Sequence, residues 1–177
     1  MNTSNTSLRR GNPDLTIHPK WVDFLTCVQD RVIVFTDGAC SGNPGRGGYA
    51  GVLLYNDECF EVSGGENYTT NNRMEMLGAI ESLGLFPTTF EFPVHIFTDS
   101  KYLQNGIQTW IKAWKKNNWM TSAKKPVKNQ DLWIRLDTLC QTFTVEWSWV
   151  KGHSHHYFND RADALARNAL IAQRIQF

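Results

Sequence analysis

The chain has 177 residues, 18 Lys and Arg against 17 Asp and Glu, a formal net charge of +1 and 41% hydrophobic residues. That length and apolar fraction suit one packed domain and exclude wholesale disorder, and no uninterrupted apolar stretch approaches the roughly 18 residues of a membrane span. Averaged over the chain, the near-neutral charge argues against a polyanion partner.

Residues 1–15 are polar and read as a mobile tail. No apolar region follows Arg9 and Arg10, so neither a secretory nor a twin-arginine signal fits. Cys27, Cys40, Cys59 and Cys140 are too scattered for a metal-ligand spacing or a disulfide framework, which predicts reduced thiols in a cytoplasmic protein. Trp21, Phe24, Leu25 and Val28 recur at helical spacing and predict a short amphipathic helix between His18 and Gln29. Three strand-like runs come next, Val32–Phe35, Tyr49–Tyr55 and Cys59–Val62, separated by turn residues as in an antiparallel meander.

A helix is predicted from Asn71 to Leu83, with Thr70 or Asn71 as N-cap and Met74, Leu77 and Ile80 on its buried stripe. Val94–Thr98 reads as a buried strand, residues 100–116 and 129–141 as helical, and Thr144–Val150 as a final strand. A last helix is expected from about Asp160, turning Ala162, Leu165, Ala166 and Ala169 inward. This order predicts a single α/β domain over residues 31–177, a five-stranded mixed sheet flanked by helices, preceded by an extension of residues 1–30.

The first and fourth strands close on one phrase, Phe-Thr36-Asp37-Gly38 and Phe-Thr98-Asp99-Ser100. In open α/β sheets chemistry collects beyond the carboxyl ends of strands, and parallel neighbours would bring Asp37 and Asp99 together there. Either aspartate alone would serve to cap the turn or helix after it; the duplication points to a site. Glu75 shares a helix face with Asn71, and Asp163 lies in the opening turn of the last helix, where the helix dipole alone would favour it. Converging carboxylates repel one another, so such a group calls for hard divalent cations, Mg²⁺ or Mn²⁺. A pair of them would hold a phosphodiester, activate water and stabilise the leaving oxygen.

Gly45-Arg-Gly47-Gly-Tyr-Ala50 satisfies a loose dinucleotide-binding pattern, but a strand and not a helix follows it, and no Lys-Ser/Thr pair closes a P-loop. The Gly38–Gly48 stretch is expected to be a flexible turn that a large ligand can approach. Lys101, Lys112, Lys115, Lys116, Lys124, Lys125 and Lys128 lie in a stretch with no acidic residue, interleaved with Trp110, Trp114 and Trp119. Core packing would account for the tryptophans and a solvated face for the lysines. Together they resemble a track for a phosphate backbone and overturn the inference drawn from average charge. Three histidines, His153, His155 and His156, fill the loop before the last helix, where one would shuttle a proton near neutral pH.

The segments TDGACSGNPGRGGYA, TTNNRMEM, IFTDS, WKKNNW…KKPVKNQDLW and WVKGHSHHYFNDRADALA, in this order, closely resemble type 1 ribonuclease H in its bacterial single-domain form. The resemblance implies a ribonuclease H-like fold and cleavage of the RNA strand of RNA–DNA hybrids with two Mg²⁺ ions (Mn²⁺ substituting), leaving 5′-phosphate and 3′-hydroxyl ends. It implies a monomeric cytoplasmic enzyme with no membrane partner. It makes Asp37, Glu75, Asp99 and Asp163 the metal-binding carboxylates and His153 the proton-transfer or product-release residue. Asn159 sets the register that selects Asp163 over Asp160. Asn43, Asn71 and Asn72 would contact the hybrid, Thr70 with Asn43 a DNA phosphate, and the 109–133 segment the DNA strand through Trp110, Trp114, Lys115, Lys116 and Trp119. Lys101 stands where an amide is usual and His155 where glycine is usual. A non-catalytic hybrid-binding module is the alternative, and a pure binder has no use for a repulsive acidic cluster. An integrase-like core would share the fold and metals but lack the basic segment.

Overall fold

A computed structural model describes residues 7–10, 31–55, 58–152 and 156–173. Val32–Gly42 (β2), Gly45–Tyr55 (β3) and Glu58–Thr69 (β4) form the antiparallel meander, preceded by a short strand, Ser7–Arg10 (β1). Asn71–Leu83 (α1) and Val94–Thr98 (β5) follow. Lys101–Asn105 (α2) continues through a π-helical turn, Gly106–Trp110, into Ile111–Lys116 (α3). Gln130–Thr142 (α4), Val145–Trp149 (β6) and Tyr157–Ala172 (α5) complete the chain. The predicted helix at 18–29 lies outside the described residues.

The sheet order is β1-β4-β3-β2-β5-β6, antiparallel except for the parallel pairs β2–β5 and β5–β6. The five predicted strands are all present in one mixed sheet, as expected. The sixth, β1, departs from the reading of residues 1–15 as a mobile tail: it pairs with β4 from Ser7↔Ser63 to Arg10↔Phe60. An uncovered β4 edge would leave a row of backbone donors and acceptors unpaired, and strand addition satisfies them.

Central β2 is apolar on both faces. Val32 and Val34 enter a larger core with α1 and α4, whereas Ile33 and Phe35 enter a smaller one with Phe158 and Ala162 of α5. Ala162 and Ala166 are buried as predicted, with Leu165 packed against the smaller core and Ala169 half-buried. Helix α1 is buried almost all round, wider than its predicted stripe, because it lies between the sheet and α4. Its outer side is tied to α4 by a two-pronged Arg73–Asp131 pair (3.0 and 2.9 Å) and by Arg135–Glu81 (2.9 Å).

The glycine-rich stretch is not a loop. β2 and β3 remain paired from Ile33↔Leu54 to Gly42↔Gly45, so only Asn43 and Pro44 turn. The glycines serve helix packing: a Cβ on Gly38 would strike the α1 backbone at Met74 and Glu75, and one on Gly48 would strike α5 at Ala166 and Leu170. The last helix begins at Tyr157 rather than Asp160, since the Asp160 N–H already donates to the His156 carbonyl at 2.9 Å.

Candidate active site

β2 is where the sheet's connectivity reverses: the chain leaves it toward β3 and returns on its other side as β5. Thr36 pairs with Thr98 in the last register of the parallel ladder, so Asp37, still within β2, and Asp99, one residue past β5, follow side by side where the parallel pairing ends. The close approach of α1 at Gly38 delivers Glu75 to the same point. Asp37, Glu75 and Asp99 each place one carboxylate oxygen so that all lie within 4.8 Å of one another. Glu75 is 5% exposed and Asp37 6%, so neither is the ordinary surface carboxylate that helix spacing or a turn alone would allow.

Burial, then the charge of Asp99, pushes the Asp37 carboxyl up to about 8, against the opposing pull of the Gly38 N–H, which donates to Oδ1 at 2.7 Å. Glu75 is raised well above the ordinary range, first by burial and then by Asp37 and Asp99, while the Asn71 amide, donating to Oε1 at 3.2 Å, opposes the shift. Its Oε2 is buried and has no hydrogen-bond partner. Asp163 stands just outside the tight trio. It lines the same cavity of about 520 Å³, its charge is felt by both Asp37 and Glu75, and Arg167 one turn later holds its Oδ1 at 2.8 Å. Asp160, its neighbour in sequence, is not among the residues lining that cavity.

Without a cation between them, the buried Asp37 and Glu75 resist ionisation at neutral pH. An all-oxygen donor set, an orphaned buried carboxylate oxygen and an open cavity fit a hard divalent cation, with Asp37, Glu75 and Asp99 as first ligands and Asp163 at the rim.

The RNase H family model matches residues 29–171. A ribonuclease H of Rhodopseudomonas palustris (strain TIE-1) is 52% identical over 148 residues, covering 84% of this chain and 94% of that protein. The chain belongs to the ribonuclease H family. Among solved structures, LC9-RNase H1, a type 1 RNase H with the type 2 active-site motif, superposes with a TM-score of 0.73 at 31% identity, over 81% of this chain and 74% of that one. LC11-RNase H1, solved in complex with RNA/DNA hybrid, shares the fold at a TM-score of 0.63 and 21% identity, over 81% of this chain and 99% of that one.

Other residues implied by the ribonuclease H resemblance fall into three groups. Asn43, Thr70 and Asn71 meet beside the acidic trio: Thr70 is the N-cap of α1 but makes no side-chain cap bond, and Asn43 reaches over from the β2–β3 turn to accept the Asn71 N–H at 3.2 Å. Asn72 is exposed next to them. In the basic segment, Trp110, Trp114 and Trp119 are half-buried, and Trp114 packs its ring 5.4 Å from the wholly buried Trp133, so core packing and an outward surface coexist in them. Lys116 is exposed, but Lys115 is held by Asp137 of α4 at 2.6 Å, so the tract is not wholly without counter-charge. Lys101 lies with its ammonium 5.0 Å from the centre of the Trp149 ring. His153 and His155 lie outside the described residues.

Sequence reasoning missed Arg167, although its spacing four residues after Asp163 was a readable signal. It also missed Trp149, whose indole N–H donates to the Asp99 carbonyl at 2.9 Å, and Gly152, which abuts the Asp99 carboxylate. No local pattern announces either.

Proposed function

We propose that the chain is an endoribonuclease that hydrolyses the RNA strand of RNA–DNA hybrids with two Mg²⁺ ions, leaving 5′-phosphate and 3′-hydroxyl ends. The observation that carries this reading is the buried carboxylate trio at the switch point of a ribonuclease H sheet. Asp37, Glu75, Asp99 and Asp163 would hold the ions, with Mn²⁺ able to take their place. When bound, the ions make water a stronger nucleophile and neutralise charge on the phosphodiester.

The protein's own groups do the rest. Asn71 orients Glu75 and, with Asn43, Thr70 and Asn72, forms a polar edge for the hybrid beside the acids. Recognition of 2′-hydroxyls there directs cleavage to the RNA strand, and phosphate contacts to the basic segment supply affinity on the DNA side. His153, which precedes the helix carrying Asp163 in sequence, takes part in proton transfer or product release. Residues 31–177 form the catalytic domain and residues 1–30 an extension to it. A monomeric cytoplasmic enzyme completes the proposal, in keeping with Cys40, Cys59 and Cys140 all being free thiols.

A non-catalytic hybrid-binding module is disfavoured, because gathering three mutually repelling carboxylates, two of them buried, destabilises the fold without aiding a binder. The deciding assay compares matched RNA–DNA, RNA–RNA and DNA–DNA duplexes with and without Mg²⁺. Cleavage is expected only of the RNA strand of the hybrid and only with the cation; an intact hybrid in millimolar Mg²⁺ overturns the proposal.

A further inference from the structure

We propose that the end of β6 and the turn after it position Asp99, with Trp149 fixing its main chain and Gly152 leaving its carboxylate the room to hold a divalent cation; this rests on reading the acidic trio as the cation site.

Asp99 lies one residue past β5, where the parallel ladder no longer constrains it. Its neighbours before and after are anchored independently of it. Thr98 pairs with Trp149 in register and accepts the Val150 N–H at 3.0 Å. Ser100 caps α2, its hydroxyl accepting the Leu103 N–H at 3.2 Å. The peptide between these anchors is held from β6: the Trp149 indole N–H donates to the Asp99 carbonyl at 2.9 Å. Trp149 is 39% exposed, an unusual degree for an indole, and the Lys101 ammonium from α2 sits 5.0 Å from its ring centre. The ring thus joins the strand end, the Asp99 peptide and the helix after it.

Gly152 acts on the carboxylate itself. A Cβ at this position would overlap Asp99 Oδ2, so only a residue without a side chain lets the carboxylate keep the position it holds beside Asp37 and Glu75. Trp149 and Gly152 touch no reacting atom; they are positioning residues, and such outer partners typically change metal affinity by about 10- to 100-fold.

The test is calorimetric titration of Mg²⁺ into the metal-free full chain and its Trp149→Phe and Gly152→Ala variants. Trp149→Phe keeps an aromatic ring beside Lys101 but removes the N–H; Gly152→Ala adds only the methyl that crowds Asp99. Each is expected to bind Mg²⁺ about 10-fold more weakly, with hybrid KM unmoved and kcat regained at higher Mg²⁺. Wild-type affinity in both variants overturns this inference alone. No Mg²⁺ uptake by the wild-type chain overturns the cation site itself, and the inference with it.

Discussion

The acidic site and the basic segment handle like charge in opposite ways. Asp37, Glu75 and Asp99 come from three separate elements, and the first two are almost wholly buried, so their repulsion is opposed by the packing of a whole domain. The basic segment leaves Lys112, Lys116, Lys124, Lys125 and Lys128 exposed on short helices and turns, steadied underneath by Trp114 against Trp133. The lesson is one of division of labour. On the proposed reading, charges that would hold small hard cations are pre-gathered in a rigid frame, while charges that would meet a long polyanion stay in solvent, where desolvation costs little and screening by salt is large. A net charge of +1 averages the two and conceals both.

The largest expected effect separates chemistry from binding. Asp37→Asn or Asp99→Asn keeps side-chain size and the frame but removes a proposed cation ligand, and hybrid cleavage is expected to fall by about three orders of magnitude or more. Hybrid affinity, which the proposed function assigns to the basic segment and the Asn43–Asn71 edge, is expected to change little. Single-turnover cleavage and equilibrium binding on the same variant measure both quantities, and wild-type-like cleavage would remove these residues from the site.

A smaller effect sharpens the other half of the comparison. If exposed lysines bind phosphate by releasing counterions, Lys116→Ala lowers the slope of log affinity against log salt by about 0.9. Lys115→Ala lowers it by less, because Asp137 at 2.6 Å already compensates that ammonium. Equal slope changes at the two positions would mean that the Lys115–Asp137 pair opens on binding; no change at either would exclude them from the phosphate track.

Much of this architecture was legible because it rests on periodicity and on chain-local signals. The repeated Phe-Thr-Asp phrase correctly anticipated parallel neighbours, since Thr36 and Thr98 share a register. Strand β2 extends to Gly42, well past the Phe35 that sequence alone suggests, because glycine-rich sequence has little strand propensity. What requires glycine at 38 and 48 is the close approach of α1 and α5, a tertiary effect no window of sequence contains. The Lys115–Asp137 pair was hidden for a similar reason: the run of lysines without acidic neighbours ends at Gln130, and the counter-charge lies one helix further on. The Trp149 contact with Asp99 spans 50 residues of sequence and depends on β5 and β6 being parallel neighbours.

The smallest effect measures what it costs to bury the Asp37 carboxylate beside Asp99. Asp37 holds its proton up to about 8 in the folded protein, against 3.8 for an ordinary aspartate, so the folded state binds more protons than the unfolded state between those values. Stability therefore declines as pH rises through that window, in the metal-free protein, by the amount this carboxylate contributes. Asp37→Asn removes the contribution. Its advantage over wild type should be nil below about pH 4 and greatest above pH 8. The site cavity admits water, which screens much of the repulsion, so an advantage on the order of 1 kcal/mol, or about 2–4 °C in Tm, is expected. Mg²⁺ should erase the difference by raising the wild-type Tm more than the variant's, because only the wild type has the full ligand set to offer. A difference that stays constant from pH 4 to 9, or an equal Mg²⁺ shift in both proteins, would mean that the three carboxylates meet without strain and that the cost of assembling them lies elsewhere.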